Sequence, residues 1–283
     1  MNDEALRARA AFILEAMGNI GTQAMAVGAR DLAAGPHWLK QHAEAAKVPL
    51  VSANLVDANG ERLFPASVVL EAGGKKVGVI GVSPAGVLAH GAAKGLPIAA
   101  SVAQEARRLR KKVDLIVVLA AVPYPDALQL STEVGRNVDF IIQSHEGRGQ
   151  GMAQRGEDNF ILPAGERGRM IGKLVLELDG KGPFVDAQER QRDEQTLQIV
   201  RNQVTEVNRR LAAAKDPETK QQLRQTLASF QKRQAEVEKR LSSGGKAGGR
   251  RMNLEWVVLT AQFSSDEALE AQVRQIEPNG ATH

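Results

Sequence analysis

A heptad pattern that begins near residue 187 is the strongest constraint on how this chain can fold. Apolar residues recur there at alternating spacings of three and four, which is the repeat of a coiled-coil seam. The first run comprises Leu197, Val200, Val204, Val207 and Leu211, and the second comprises Leu223, Leu227, Phe230, Val237 and Leu241. Asp216-Pro217 separates the two runs. Because proline is excluded from a helix interior, the pattern predicts an antiparallel helical hairpin.

The preceding part of the chain alternates between helix-like and strand-like segments. Residues 113–119 (VDLIVVL) and 138–142 (VDFII) are short apolar runs, which are typical of strands covered on both faces. Helical patterns are predicted over residues 4–17, 36–46 and 97–112. This alternation indicates an α/β layered body.

Strand character returns after the hairpin, so the hairpin is predicted to be an insertion. We expect residues 170–178 to pair with residues 253–261, because strands on either side of an insertion are often neighbours. The predicted organisation is an α/β body over 1–186, the hairpin over 187–241, a Gly/Ser-rich basic linker over 242–252, and a strand and helix over 253–283 that complete the body.

Composition excludes several classes of site. The chain has no cysteine, so disulfides, thiolate metal sites and cysteine nucleophiles are absent. It has no apolar run long enough to suggest a transmembrane helix, and its first residues do not resemble a signal peptide. The net charge of +4 is concentrated in the hairpin. Phe230 is the only aromatic residue in that region, so the sequence offers no base-stacking platform and does not favour nucleic-acid binding.

Six segments, taken in order, carry a family resemblance. They are residues 22–31 (TQAMAVGARD), 49–54 (PLVSAN), 60–65 with 76–82 (GERLFP and KVGVIGV), 113–119 (VDLIVVL), 138–145 (VDFIIQSH) and 162–165 with 172–174 (LPAG and GKL). Together they resemble the bacterial periplasmic 5′-nucleotidases and UDP-sugar hydrolases, within the calcineurin-like metallophosphoesterases. The resemblance implies a four-layer α/β/β/α sandwich and a periplasmic location. The family's first metal-binding motifs have no counterpart before Thr22, so the sandwich is expected to be incomplete at its N-terminus.

The resemblance also implies where a two-metal site would lie, and the chain departs from the family there. Ala29 stands where the family has a metal-binding asparagine, and Arg30 where it has a catalytic histidine. Ala121, or Ala120 if the gap is placed differently, replaces a metal-binding histidine. Gly147 replaces the second residue of the last histidine motif. Alanine offers no lone pair and arginine is a permanent cation, so we interpret the chain as a degenerate family member.

Four residues remain as candidates for a relic of that site: Arg30, Asp31, His145 and Glu146. An arginine fork at position 30 is suited to holding an anion such as a phosphate group. His145 matches a metal-ligand position, although one histidine does not hold a two-metal centre. The alternatives without a binding function are an ion pair with a nearby acidic residue for Arg30 and a hydrogen-bonded position in a loop for His145.

These observations predict a non-catalytic binding or scaffold protein with no cofactor. It is expected to contact a protein partner through the hairpin and, through Arg30, a phosphate-containing small molecule. The contact residues of the arm would be Leu197, Val204, Leu211, Leu223 and Phe230. The alternative for these residues is packing within the hairpin alone.

Two other functions stay open at this point. One is an active metal-dependent phosphoesterase, acting on nucleotides or other phosphate esters, with two divalent metals such as manganese, zinc or cobalt in a rearranged site. The other is a fragment of an exported fusion with a multihaem cytochrome, although the chain contains no Cys-x-x-Cys-His motif.

Overall fold

The computed structural model describes residues 4–144, 152–156, 158–165, 168–179, 182–243 and 250–276. The chain divides into two compact units. The first contains Met1–Lys173 and Trp256–His283, and the second contains Leu174–Glu255.

The helices are close to those predicted, with one addition. They are α1 Glu4–Asn19, α2 Pro36–Ala45, α3 Ile98–Leu109, α4 Tyr124–Val134, α5 Glu189–Ala213, α6 Pro217–Ser243 and α7 Glu267–Ile276. The sequence patterns do not predict α4, which has a proline in its first turn. Proline fits there because its missing N–H would have no partner within the helix.

The strands are more numerous and shorter than predicted. They are β1 Met25–Ala26, β2 Leu50–Val51, β3 Leu55–Val56, β4 Ser67–Ala72, β5 Lys75–Val82, β6 Gly86–Leu88, β7 Ala93–Gly95, β8 Leu115–Ala120, β9 Phe140–Gln143, β10 Gln154–Arg155, β11 Phe160–Pro163, β12 Met170–Glu177, β13 Val185–Asp186 and β14 Arg251–Val258. The segment 49–54 forms a strand only as far as Val51. The Ser52 amide donates instead to the Pro65 carbonyl, at 2.8 Å.

The main sheet has six strands in the order β10-β11-β9-β8-β5-β4. Strands β5, β8, β9 and β11 are parallel, while β4 and β10 are antiparallel additions at the two edges. A smaller parallel sheet joins β1 to β2. The predicted pairing after residue 170 is present, because β14 lies between β12 and β13 in a three-stranded sheet.

Two apolar cores separate the layers of the first unit. The larger core lies between the main sheet and helices α3 and α4, and includes Val102, Leu130 and Ile116. The second core joins α1 and α2 to the β1–β2 sheet, and includes Leu14 and Leu39. The layers therefore run helix, main sheet, small sheet, helix, as expected for an α/β/β/α sandwich.

Helices α5 and α6 run antiparallel to each other in the second unit. Near one end of the pair, Arg240 Nη2 lies 2.8 Å from Asp193 Oδ1, and Arg201 Nη2 lies 2.9 Å from Glu238 Oε1. These pairs join the beginning of α5 to the end of α6, which defines the antiparallel direction. The turn between the helices contains Asp216, whose Oδ2 accepts a 2.7 Å hydrogen bond from the Thr219 amide and begins α6.

Candidate functional site

The ends of four strands meet on the first unit. The Val27 amide, just after β1, donates to the Val51 carbonyl at the end of β2, at 3.4 Å. The Ala53 amide donates to the Gly81 carbonyl of β5 at 2.7 Å, and the Ala121 amide donates to the Val82 carbonyl at 3.0 Å. Ligands of open α/β sheets bind outside the carboxyl ends of parallel strands. The point where these strand ends meet is therefore the expected position of a binding site.

The loop after β1 is closed by its own aspartate. The Gly28 amide donates a 2.7 Å hydrogen bond to Asp31 Oδ2, and a short 3-10 turn, Asp31–Ala34, follows. Burial raises the pKa of the Asp31 carboxyl above its ordinary value, and the hydrogen bond from Gly28 partly offsets this. Asp31 is therefore a half-buried carboxylate that fastens the loop.

Ala121, rather than Ala120, lies beside the loop that follows β1. Ala120 is the last residue of β8 and is buried. Ala121 lies beyond the strand, and its Cβ is 3.6 Å from the place that a Cβ on Gly28 would occupy. Asp31 Oδ2 is 3.2 Å from that same place. The candidate residues Asp31 and Ala121 are therefore brought together beside Gly28.

The side chains at this junction are poorly suited to hold divalent metals. Ala29 and Arg30 are exposed, and neither side chain donates an electron pair to a metal at neutral pH. Over the part of the chain that the structure describes, no group of three or more histidine, aspartate or glutamate side chains is arranged to hold a metal ion. A dinuclear centre requires several such donors for each ion, so the described residues do not fit one.

Two of the predicted relic-site residues, His145 and Glu146, lie outside the described residues, as does Gly147. The chain is described up to Ser144, whose amide donates to the Ala120 carbonyl at 2.9 Å. The end of β9 therefore lies next to the end of β8.

A buried polar network, which the sequence patterns do not predict, joins the ends of the strands by hydrogen bonds. Ser52, Asn54 and Ser83 are all fully buried. Ser83 Oγ donates to the Val27 carbonyl at 2.5 Å and lies 2.9 Å from Ser52 Oγ. Asn54 Nδ2 donates to the Ser83 carbonyl at 2.8 Å, and Asn54 Oδ1 accepts from the Ser83 amide at 2.9 Å.

The network has a structural role, since its donors and acceptors are directed at one another and at the backbone. It ties the end of β1 to the segments that follow β2 and β5. The signal in the sequence was the pair of polar residues in VSAN, directly after an apolar strand.

The seam of the hairpin is buried unevenly. Val200 and Val237 are each 1% exposed, and Leu197 is buried. The remaining predicted contact residues, which lie towards the turn, are half-buried: Val204, Leu211, Leu223 and Phe230. The seam is therefore buried most completely where α5 begins and α6 ends, although Val207 is buried as well.

Comparison with solved structures gives the class of fold. The calcineurin-like phosphoesterase YfkN from Bacillus subtilis superposes with a TM-score of 0.58 at 15% identity, over 95% of this chain and 73% of that one. The chain thus has the fold of the calcineurin-like phosphoesterases. No helix within the described ranges is long and apolar enough to cross a membrane.

Within that class, the chain resembles the 5′-nucleotidases, as predicted. A 5′-nucleotidase precursor from Thermus thermophilus is 25% identical with a TM-score of 0.51, over 60% of this chain and 38% of that one. An apyrase from Tabanus yao is 34% identical over 110 residues, which are 36% of this chain and 20% of that protein. No family model matches the sequence. The match to the apyrase thus spans about a fifth of the length of that curated relative.

Proposed function

We propose that this protein is a non-catalytic binding module built on a 5′-nucleotidase-like phosphoesterase fold. The observation that carries the proposal is the set of side chains where β1 and β8 end. Ala29 and Ala121 offer no ligand atoms there, and Arg30 contributes a permanent positive charge. That charge opposes the binding of divalent cations nearby, because like charges repel at short range.

The same junction is better suited to an anion than to a metal. Arg30 is exposed beside the strand ends, and a guanidinium group binds phosphate or carboxylate oxygens with two parallel hydrogen bonds. Asp31 is directed inward to the Gly28 amide, so one of its oxygens is already engaged within the loop. We infer that Arg30 contacts a phosphate-containing small molecule.

The hairpin is the second part of the proposed function. Its half-buried seam residues, among them Leu211, Leu223 and Phe230, are available to pack against a protein partner. The hairpin also has a surplus of basic residues, which favours a partner with an acidic surface. Export to the periplasm, implied by the resemblance, stays a prediction.

The decisive experiment is a phosphatase assay on the purified chain with adenosine monophosphate and p-nitrophenyl phosphate, in the presence of manganese or cobalt. The proposal expects no turnover above that of an Arg30→Gln, His145→Ala control. Turnover by the wild-type chain that disappears in His145→Ala would establish the alternative, an active metal-dependent phosphoesterase.

Metal binding provides an independent measurement. Manganese titration of the wild-type chain, followed by electron paramagnetic resonance, is expected to show no tight binding. The variant Ala29→Asn with Ala121→His restores two ligand types and is expected to bind manganese more tightly than the wild type. Two tightly bound manganese ions per wild-type chain would overturn the proposal.

A further inference from the structure

A polar cavity of about 490 Å³ opens between α3 and the beginning of β4. It contains none of the strand-end residues discussed above. Its lining includes two arginines, two serines, a glutamine and a glutamate: Arg62, Arg108, Ser67, Ser101, Gln104 and Glu105. The volume is that of a small-molecule site, and the lining is mostly polar.

Glu105 forms the inner wall of the cavity. It lies on the buried face of α3, with its side chain 8% exposed. A buried carboxylate is costly unless it is paired and hydrogen-bonded, and Glu105 is both. Arg108 Nε donates to its Oε2 at 2.9 Å and Arg108 Nη2 to its Oε1 at 2.5 Å, and the Ser67 hydroxyl also donates to Oε1.

This pairing holds the Arg108 guanidinium in one orientation. Nε and Nη2 face Glu105, and Nη2 also contacts Ser67 Oγ at 3.2 Å. Within the described part of the chain, Nη1 has no hydrogen-bond partner, and the Arg108 side chain is 55% exposed. One side of the planar fork is therefore fixed to the protein, in a side chain that lines the cavity. Fixing a guanidinium in this way is the preorganisation that lowers the entropic cost of binding.

Arg62 supplies a second positive charge to the same cavity. It lies close enough to act on Glu105, because its charge, after the larger effects of Arg108 and Ser67, helps to lower the pKa of that carboxyl. Two guanidinium groups and one carboxylate leave the lining with a net charge of about +1, so an incoming anion would complete the charge balance. Gln104 adds an exposed amide donor.

We propose that this cavity binds a small oxyanion, such as inorganic phosphate or a carboxylate, between Arg62 and Arg108. Glu105 serves as a positioning residue that orients the Arg108 fork. The site is separate from the one proposed around Arg30, so the two proposals can fail independently.

The test is isothermal titration of the full chain with inorganic phosphate and, separately, with citrate. The site is supported if Arg62→Gln weakens binding of either probe by about tenfold or more, as expected for loss of a charge-assisted hydrogen bond. The matched control is Arg107→Gln, which removes an exposed arginine of the same helix that does not line the cavity. This control should stay within about twofold of the wild type.

Arg108→Lys tests the fork itself. Lysine keeps a positive charge beside buried Glu105, so the fold is preserved, but it lacks the planar pair of donors. We expect binding to weaken by about tenfold or more. Unchanged binding in Arg108→Lys would overturn the assigned role of the fork.

Three other results would overturn the site as a whole. One is the absence of binding by either probe. Another is an equal loss in Arg107→Gln and Arg62→Gln, which would indicate diffuse attraction to surface charge. The last is loss in Arg30→Gln with none in Arg62→Gln, which would place the anion at the strand ends and leave the proposed function intact.

Discussion

The backbone amide of Gly28 donates a 2.7 Å hydrogen bond to Asp31 Oδ2 and closes the loop at the end of β1. This bond turns a carboxylate at the strand ends inward. The Asp31 side chain therefore stabilises the loop that carries it instead of projecting from that loop. The same loop leaves Arg30 exposed, so the protein presents a positive charge at the junction.

Asp31 makes stability depend on pH in a definite direction. Because burial raises its pKa in the folded state, folding favours the protonated form. The protonated Asp31 carboxyl contributes fully to stability when the pH is below 3.8, the ordinary pKa of the group. This contribution is lost as the pH rises through the raised pKa of the folded state. Asp31→Asn keeps an acceptor for the Gly28 amide without the charge. Urea unfolding should show that this variant gains stability relative to the wild type on going from pH 4 to pH 7.

The control for that measurement is Glu133→Gln, which removes an exposed carboxylate on α4. It reports the effect of a change in net charge alone. If Asp31→Asn and Glu133→Gln respond alike to pH, the half-buried Asp31 carboxyl does not influence folding as argued.

Asn54 should be important for stability because it joins three parts of the chain. Its side chain bonds Ser83 through both its amide nitrogen and its oxygen, and bonds the Leu96 carbonyl at 3.1 Å. Asn54→Ala leaves buried backbone groups without partners and should lower the free energy of unfolding by about 3 kcal/mol. Asn59→Ala, in an exposed turn, should change it by less than about 0.5 kcal/mol. Equal effects in denaturant unfolding would show that the network contributes little.

Gly81 is required by the close approach of two sheets. A Cβ on Gly81 would lie 2.1 Å from the Val51 carbonyl oxygen, which belongs to the backbone and has no freedom to move aside. Gly81→Ala should therefore cost about 3 kcal/mol or more, or prevent folding.

Gly78 on the same strand provides the control for Gly81. A Cβ there meets side-chain atoms of Leu109 and Val113 at 3.0 and 3.3 Å, and side chains adjust more readily than backbone. Gly78→Ala should be destabilising by about 1 kcal/mol. A larger loss for Gly78→Ala than for Gly81→Ala in thermal unfolding would contradict the close contact between β2 and β5.

The hairpin depends on the buried end of its seam. Val237 is 1% exposed, so Val237→Asp places an unpaired charge among apolar side chains. We expect a loss of helix content measured by circular dichroism, with a destabilisation of about 3 kcal/mol or more. Ala235→Asp introduces the same charge at an exposed position of α6 and should leave the helix content unchanged. Retained helicity in Val237→Asp would mean that the seam does not stabilise the pair.

Helices and strands that are marked by a pattern within a short stretch of sequence were predicted well. The two helices of the hairpin follow from heptad spacing and from Pro217, which begins α6. Strands β8 and β9 follow from continuous apolar runs. Helix α4 was missed, and the strand predicted over 253–261 ends at Val258. Ala261 and Gln262 lie in a turn instead.

The candidate site was predicted in part. The resemblance brought Ala29, Arg30 and Asp31 together in one segment, and the structure adds that Ala121 lies beside Gly28 and Asp31. Glu105 and Arg108 were not singled out, although a glutamate on the apolar face of α3, between Val102 and Leu109, is a signal that something must neutralise it. Arg108, three residues further along α3, neutralises it. Ser67, which is 38 residues away along the chain, adds a hydrogen bond.

The amino-acid sequence by itself determined the alternation of helices and strands, the two helices of the hairpin and the residue types Ala29, Arg30 and Ala121, because each depends on residue type and local spacing. Only the tertiary structure decided that Asp31 folds back onto Gly28, that Ser52, Asn54 and Ser83 join the strand ends, and that Arg62 and Arg108 face one cavity. Apart from the local bond between Asp31 and Gly28, these contacts join residues distant in the chain. The energies of all of them depend on burial and geometry, which arise only when the layers pack together.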